Sequence, residues 1–118
     1  MLETWSIAEL AKEQGVTTRA IRFYEDQGLI RPLREGRNRV YANRDRVRLK
    51  LILRGKRIGL SLAEIREIID LYDRPQGEQK QVELLRKIIR ERRAQLLTQQ
   101  QDIAVMLNEL DNLDAKLA

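Results

Sequence analysis

The sequence predicts a mainly α-helical fold: a winged helix-turn-helix head followed by one long C-terminal coiled-coil dimerisation helix. Two short helix signatures joined by Gly15-Val16 predict the helix-turn-helix. The basic stretch 34–41 that follows contains a glycine and predicts the wing. After Gly77 no proline or glycine occurs as far as Ala118, and apolar residues recur every seven positions, which predicts the long helix.

The composition favours a protein that binds a polyanion over an enzyme. Residues 1–57 hold 14 Lys or Arg against 7 Asp or Glu, and 31–57 alone holds 11 against 2. Such a basic block indicates an electrostatic footprint for nucleic acid, although a solvated surface would have the same composition. The absence of cysteine and histidine excludes disulfides, thiolate or imidazole metal sites, a cysteine nucleophile and a histidine base. We expect no enzymatic activity and no metal cofactor.

The hydropathy of the chain predicts a cytoplasmic protein. No apolar run follows the N-terminus, so we expect no signal peptide. No apolar stretch approaches the ~20 residues that a membrane-spanning helix needs. A membrane partner is therefore not expected.

The helix-turn-helix is the best-marked part of the head. Its first helix begins with the capping box Ser6-x-x-Glu9, in which the hydroxyl and the carboxylate each bind a backbone N–H group of the first turn. Gly15 can adopt the left-handed conformation that ends this helix. The second helix begins at Thr17 or Thr18. The predicted divisions are a head over 1–72, made of the helix-turn-helix 6–28, the wing 33–41 and helices three and four over 43–72, then a hinge over 73–77 and a coiled coil over 78–118.

Helices three and four complete the predicted head. Asn43 is expected to cap helix three, and a second capping box, Ser61-x-x-Glu64, begins helix four, which ends near Tyr72. Pro75 and Gly77 favour a turn or hinge after it. The apolar face of helix three is predicted to comprise Val47, Leu51, the stem of Arg54 and Ile58.

The C-terminal helix carries two series of residues spaced seven apart. The first is apolar throughout, and the second is apolar at its ends but polar at Arg92 and Gln99. At ~1.5 Å per residue the helix would span about 60 Å, so the small head alone cannot cover its apolar stripe. We expect it to pair two chains, in an orientation the pattern leaves open, although folding back within one chain is the alternative. The predicted dimerisation residues are Val82, Leu85, Ile89, Leu96, Ile103, Met106, Leu110, Leu113 and Leu117.

Candidate DNA-binding residues lie on the second helix, the wing and helix three. The N-terminal part of a recognition helix enters the major groove, where arginine can bind guanine O6 and N7 and a threonine hydroxyl suits a phosphate. Wing arginines fit phosphate or minor-groove contacts. Ordinary surface charge is the alternative for each arginine, and a half-buried core position is the alternative for Tyr24. The predicted set is Thr17, Thr18, Arg19, Arg22, Tyr24, Arg37, Arg39, Tyr41 and Arg54, with the other basic residues of helix three mostly solvated.

The motifs together resemble the MerR family of bacterial transcription regulators over roughly residues 5–72. The resemblance implies an antiparallel coiled-coil dimer that binds an inverted repeat in promoter DNA and bends and untwists it for RNA polymerase, on the bacterial nucleoid. It also implies DNA contacts by Arg19, Arg22 and Tyr24 from the recognition helix and by Arg39 and Tyr41 from the wing. The matching segments are Ile7-Ala-Glu-Leu-Ala11, Gly15-Val-Thr-Thr18, Ala20-Ile-Arg-Phe-Tyr-Glu25, Gly28-Leu29, Arg39-Val-Tyr41 and Ile58-Gly-Leu-Ser-Leu-Ala-Glu-Ile65.

The chain departs from the family pattern in two places. The usual Gly-Tyr-Arg start of the wing is Arg37-Asn38-Arg39 here, and the cysteines that metal-sensing members carry near the end of the dimer helix are missing. Metal or redox sensing is therefore not expected. The wing and helix three are similar to a subgroup that regulates branched-chain amino acid and fatty acid breakdown. A small-molecule site, where one exists, is expected between head and coil or at the dimer seam near Tyr72. The alternative function is a coiled-coil protein-interaction module that binds nucleic acid nonspecifically.

Overall fold

A computed structural model describes residues 3–74 and 77–118 of the chain. It confirms the predicted class, a mainly helical chain with a small wing sheet and one long C-terminal helix. In chain order the elements are β1 (Thr4–Trp5), α1 (Ile7–Gln14), α2 (Thr18–Asp26), β2 (Leu33–Glu35), β3 (Asn38–Ala42), α3 (Asn43–Arg57), α4 (Leu62–Tyr72) and α5 (Gly77–Leu117).

Capping signals in the sequence begin α1, α2 and α4 and end α1 as predicted. Ser6 and Ser61 each accept a hydrogen bond in a complete capping box, at the start of α1 and of α4. The Thr17 hydroxyl accepts from the Ala20 N–H at 3.1 Å, so Thr17 is the cap of α2. Gly15 ends α1 at φ 68°, in the left-handed region that a side chain disfavours. The turn geometry of the helix-turn-helix is thus determined locally.

Two predictions about α3 are wrong. The cap is Ala42, which has no side-chain acceptor, rather than Asn43. The buried face does not follow Val47, Leu51, Arg54 and Ile58, of which the last is 43% exposed. Leucine and isoleucine occur on several sides of this helix, so the apolar period alone does not select a face. The face that packs against the head comprises Asp45, Arg48, Leu49, Ile52 and Gly55.

The wing belongs to a three-stranded antiparallel sheet rather than to a lone hairpin. Its strand order is β1-β3-β2, and the two-residue β1, which the sequence did not predict, pairs Trp5 with Tyr41. In the β2–β3 hairpin Arg34 lies opposite Arg39, and Gly36 adopts φ 62° in the connecting turn. Strand β1 therefore fixes the base of the wing to the N-terminus of the head.

The first part of α5 packs on the head, and the rest projects away from it. Ile88 and Gln81 are buried, and Leu84 and Leu85 pack at the edge of the core. From Arg93 to Ala118 every residue is exposed. The radius of gyration is therefore 20.2 Å, against about 13 Å for a compact domain of this length.

The predicted hinge lies partly outside the described residues. Asp73 and Arg74 follow α4 and Gly77 begins α5, while the structure does not describe residues 75–76. The division at 73–77 therefore stays a prediction. Among the described residues no helix is both long and apolar enough to cross a membrane.

Candidate nucleic-acid interface

The N-terminal half of α2 presents two arginines to solvent. Arg19 and Arg22 are exposed, and within the described part of the chain neither forms an ion pair. Thr17 is also exposed, although its oxygen already accepts the capping bond, and Thr18 is half-buried. The first turn of α2 therefore offers free cations beside backbone N–H groups, an arrangement that suits anionic ligands.

Tyr24 lies in the core rather than on the binding face. Only 7% of its surface is exposed, and its ring packs edge-on against Phe23 with centroids 5.5 Å apart. Burial raises the pKa of the phenol. Tyr24 therefore occupies a core position in this conformation, which is the alternative given in the sequence analysis. A direct DNA contact by its side chain is not supported.

Glu25 of α2 ties the wing to the recognition helix. Its carboxylate accepts a hydrogen bond from Arg39 Nε at 2.8 Å and lies 3.8 Å from Arg34 Nη2. Arg34 and Arg39 face each other across the hairpin, where like charges alone would destabilise the pair. The shared carboxylate compensates that repulsion and holds both guanidinium groups. At the wing tip Arg37 is exposed, with no ion pair to any residue in the described ranges.

Tyr41 is fully buried, so it has no surface to offer DNA in this conformation. Its hydroxyl donates to Glu25 Oε2 at 3.4 Å. Burial and the nearby carboxylate raise the pKa of Tyr41 to about 12. The tyrosine predicted as a wing contact instead anchors β3 to α2. Strand β1, which pairs with β3 at Tyr41, is only two residues long, so no pattern in the sequence predicts this burial.

Two arginines from later helices bind the end of the recognition helix and the segment that follows it. Arg66 of α4 donates to the Gln27 carbonyl, which belongs to the C-cap of α2. Arg48 of α3 is 7% exposed and donates to the Leu29 carbonyl at 2.9 Å. Cations stabilise the carbonyl-rich end of a helix. The recognition helix is thus fixed to α3 and α4.

Within the described residues, three of the seven basic side chains of α3 form ion pairs, and four of the seven are exposed. Arg44 and Arg48 both pair with Asp73, and Arg46 pairs with Glu13 at 2.7 Å. Arg46 also lies 5.1 Å from the centre of the Trp5 ring, in cation–π range. These contacts join residues far apart in sequence, so spacing could not reveal them. Arg54 remains exposed and has no ion pair with any described residue.

The predicted dimerisation stripe of α5 is exposed, with one exception. Each of its members except Leu85 is between 46% and 84% exposed, and Leu97, Val105 and Leu107 widen the apolar surface. Leu85 instead lies partly against its own head. Contiguous apolar surface of this kind marks an interaction face.

An apolar cavity of about 400 Å³ lies between α3, α4 and the start of α5. It lies where the head meets the start of α5, which is one of the two places expected from the sequence for a small-molecule site, and Tyr72 does not line it. Its lining includes Leu51, Ile58, Leu60, Ile65 and Ile89, with Arg54 and Arg57 also contributing. Among residues 3–74 and 77–118 no cluster of three or more acidic, cysteine or histidine residues could hold a metal ion.

Sequence comparison relates the chain to known regulators. Residues 5–71 match the family described as MerR HTH family regulatory protein, and residues 46–113 match the one described as MerR, DNA binding. The mercuric resistance operon regulatory protein of Shigella flexneri is 40% identical over 74 residues, which cover 61% of this chain and 51% of that protein. The chain spans about half the length of the curated relatives it matches.

Solved structures agree with the fold. A MerR family transcriptional regulator from Bacillus cereus matches with a TM-score of 0.74 and 31% identity, over 97% of this chain and 82% of that one. HiNmlR, a MerR family regulator lacking the sensor domain and bound to promoter DNA, matches with a TM-score of 0.61 and 24% identity, over 98% and 89% of the two chains. The relatives are regulatory proteins, in agreement with the expectation that this chain is not an enzyme. On the match over residues 5–71, the chain belongs to the MerR family of helix-turn-helix regulatory proteins.

Proposed function

We propose that this chain is a sequence-specific DNA-binding transcription regulator that acts as a homodimer on an inverted repeat in promoter DNA. The observation that carries the proposal concerns Arg19 and Arg22, which form no ion pair with any residue that the structure describes. They lie on the first turns of a helix that contacts from three other elements hold in place. Rigid support matters because base readout needs hydrogen bonds of fixed geometry. Free charge on a fixed helix favours specific binding over nonspecific attraction.

The residues divide into base-reading and backbone-binding roles. Arg19 and Arg22 are proposed to reach base edges in the major groove, with Thr17 and Thr18 against phosphate at the helix N-terminus. Arg37, at the wing tip, and Arg54, on α3, are proposed to bind the sugar-phosphate backbone. Glu25 already binds Arg39, which we propose orients the wing and touches DNA only with its remaining N–H groups.

The charges along α5 favour antiparallel pairing of the two chains. Residues 78–93 carry six basic and three acidic side chains, whereas 94–118 carries four acidic and one basic. An antiparallel arrangement places each basic half beside the acidic half of its partner, while a parallel one places like charges together. The charge distribution therefore supports the antiparallel orientation, which the heptad pattern alone left open.

Binding by such a dimer fits a mechanism in which DNA shape changes. The related regulator HiNmlR has been crystallised with promoter DNA. We propose that this dimer likewise binds promoter DNA on the bacterial nucleoid, and bends and untwists it so that RNA polymerase can engage both promoter elements. The energetic cost of that distortion depends on the sequence being deformed, which adds specificity at positions that no side chain touches.

The cavity between head and coil is proposed as the effector site, and its chemistry favours an amphipathic organic anion. The 118 residues contain no cysteine or histidine, so they supply neither thiolate nor imidazole to a metal. Arg57 beside an apolar lining suits an anionic group with a hydrocarbon tail. Acyl-CoA thioesters, in keeping with the fatty acid and branched-chain subgroup, should raise the melting temperature. No shift with any such compound would contradict an effector role for the cavity.

Selection of binders from random duplex DNA tests the main proposal. We expect enrichment of a palindrome, and binding that weakens steeply with salt because phosphate contacts release counterions. Arg22→Ala should cost about 1–3 kcal/mol on the enriched site and relax its base preference. Arg90→Ala, which removes an exposed arginine of α5, is the matched control and should leave base preference unchanged. Failure to enrich any sequence would instead favour a coiled-coil interaction module with nonspecific nucleic-acid binding.

A further inference from the structure

Arg92 of α5 binds the turn between α3 and α4 rather than lying in the coil seam. Its Nε donates to the Ile58 carbonyl at 2.9 Å, and its Nη1 donates to Gln95 at 3.3 Å. Ile58 is the C-cap of α3, where the helix dipole favours a cation. The heptad pattern places this residue among the seam positions, but in the structure it makes a head contact.

The turn that accepts the Arg92 side chain contains a glycine in an unusual conformation. Gly59 adopts φ 83°, a conformation that side chains rarely allow. A Cβ atom at this glycine would lie 2.6 Å from a guanidinium nitrogen of Arg92, so a larger residue would strain the backbone and displace the guanidinium group. The turn thus provides both an acceptor and the space for the planar group.

Arg92 is also the last residue of α5 that is not exposed. It is half-buried, whereas every residue from Arg93 onward is exposed. At ~1.5 Å per residue, about 38 Å of helix extends beyond this point to Leu117. A tilt of about 10° at Arg92 would therefore move the far end by roughly 7 Å, the length of about two base pairs at ~3.4 Å each.

We propose that Arg92 is a positioning residue that sets the angle between head and coil, and thereby the separation of DNA half-sites that the dimer accepts. The inference about half-sites rests on the proposed dimeric DNA-binding function, but the angle itself does not. In a symmetric dimer each rod links the two heads, so a change of angle acts twice. Arg92 touches no DNA in this proposal and acts only through the geometry it holds.

The angle can be measured without DNA. The chain has no cysteine, so Lys12→Cys on α1 and Asn112→Cys on α5 give two unique, exposed spin-label sites. Labelled chains diluted into unlabelled protein report the distance within one chain. We expect one narrow distance distribution for the parent protein, a clearly broader or shifted one for Arg92→Ala, and an intermediate one for Arg92→Lys. Arg93→Ala, which removes the neighbouring exposed charge, should match the parent. Identical distributions for Arg92→Ala and the parent would overturn the proposal.

Gly59→Ala provides a second variant from the other side of the contact. It should broaden the same distribution, and adding Arg92→Ala should produce little further change because both substitutions break one contact. Thermal unfolding of each variant establishes that it is folded before distances are compared. If the broadening in the double variant equals the sum of the broadening in the two single variants, the two substitutions do not act through one shared contact.

The DNA consequence is tested with palindromes whose half-sites are moved closer or further apart by one or two base pairs. We expect the parent to prefer one spacing by about tenfold or more, and Arg92→Ala to reduce that preference to within about threefold. Arg93→Ala should keep the parental preference. An unchanged preference with a changed distance distribution would overturn the link to half-site choice, whereas absence of specific binding by the parent would overturn the proposed function and leave the angle result standing.

Discussion

The two parts of α5 share one heptad pattern but meet different surroundings. From Gly77 to Arg92 the helix contacts the head, and Ile88 is 5% exposed. From Arg93 to Ala118 every residue is exposed, although apolar residues recur there with the same spacing. A periodic stripe therefore reports that a helix needs an apolar partner, but it does not report whether that partner is the same chain or another one.

The largest expected effect comes from charging the exposed part. Ile103→Asp would place two carboxylates, one from each chain, in the seam of the proposed dimer. We expect no cation among the described residues to pair with them there. Burying an unpaired charge costs several kcal/mol, so dimer affinity should fall by about a thousandfold or more. Sedimentation across a concentration series measures this loss. Asn112→Asp adds the same charge away from the stripe and should leave the dimer intact, and a dimeric Ile103→Asp protein would locate the seam elsewhere.

The packed part should respond through folding rather than association. In the Ile103→Asp background, Ile88→Ala should lower the free energy of unfolding by about 2–5 kcal/mol, because it empties a buried site against α4. Urea denaturation followed by circular dichroism measures the change. Ile89→Ala is the matched control, since Ile89 is about half exposed in one chain and should cost less than about 1 kcal/mol. Equal costs for the two substitutions would mean that Ile88 is packed no more closely against the head than Ile89 is.

Local signals in the sequence account for most of the fold. Both capping boxes, the Thr17 cap and the glycine at position 15 occur where predicted, because each depends on residues within one or two turns. The errors concern tertiary packing. The buried face of α3 and the strand β1 depend on which distant elements cover them, and no short-range pattern encodes that choice.

The predicted DNA-binding residues also fall into two groups, those whose exposure follows from local sequence and those whose burial depends on tertiary packing. Arg19, Arg22 and Arg37 are exposed as their predicted roles require, because position in a helix or turn largely determines exposure. Tyr24 and Tyr41 are buried, and Glu25 joins the wing to the recognition helix across more than a dozen residues. The signal in the sequence for the role of Glu25 is a single acidic residue on a helix beside an arginine-rich wing. Its meaning required the hairpin register, which only the structure provides.

A smaller effect is expected where α5 crosses α4. The side chain of Gln81 is buried and its Nε2 donates to the Ile68 carbonyl at 2.7 Å. Gln81→Ala would leave that carbonyl without its partner, and we expect a loss of about 1–3 kcal/mol in unfolding free energy. Gln79→Ala removes the same side chain from an exposed position and should be nearly neutral. Hydrogen exchange of the α4 amides should accelerate only in the first variant, and unchanged exchange would show that water replaces the amide.

The smallest expected effect is a dependence on pH at Asp73, just before the coil. Burial alone would raise the pKa of Asp73, but hydrogen bonds and ion pairs from Arg44 and Arg48 outweigh it and hold the pKa below the ordinary value of 3.8. A carboxyl whose pKa is lowered on folding stabilises the folded state above its unfolded pKa and loses that contribution as pH falls through the folded pKa. Stability should therefore decline below about pH 4, to which Glu9 and Glu13, whose pKa values are also lowered, contribute in the same direction. Asp73→Asn isolates the Asp73 share, since urea denaturation from pH 7 to pH 3 should be less steep in this variant than in the parent. Parallel curves for the two proteins would mean that the ion pairs of Asp73 with Arg44 and Arg48 do not contribute to the free energy of unfolding. Packing alone would then join α3 to the end of α4.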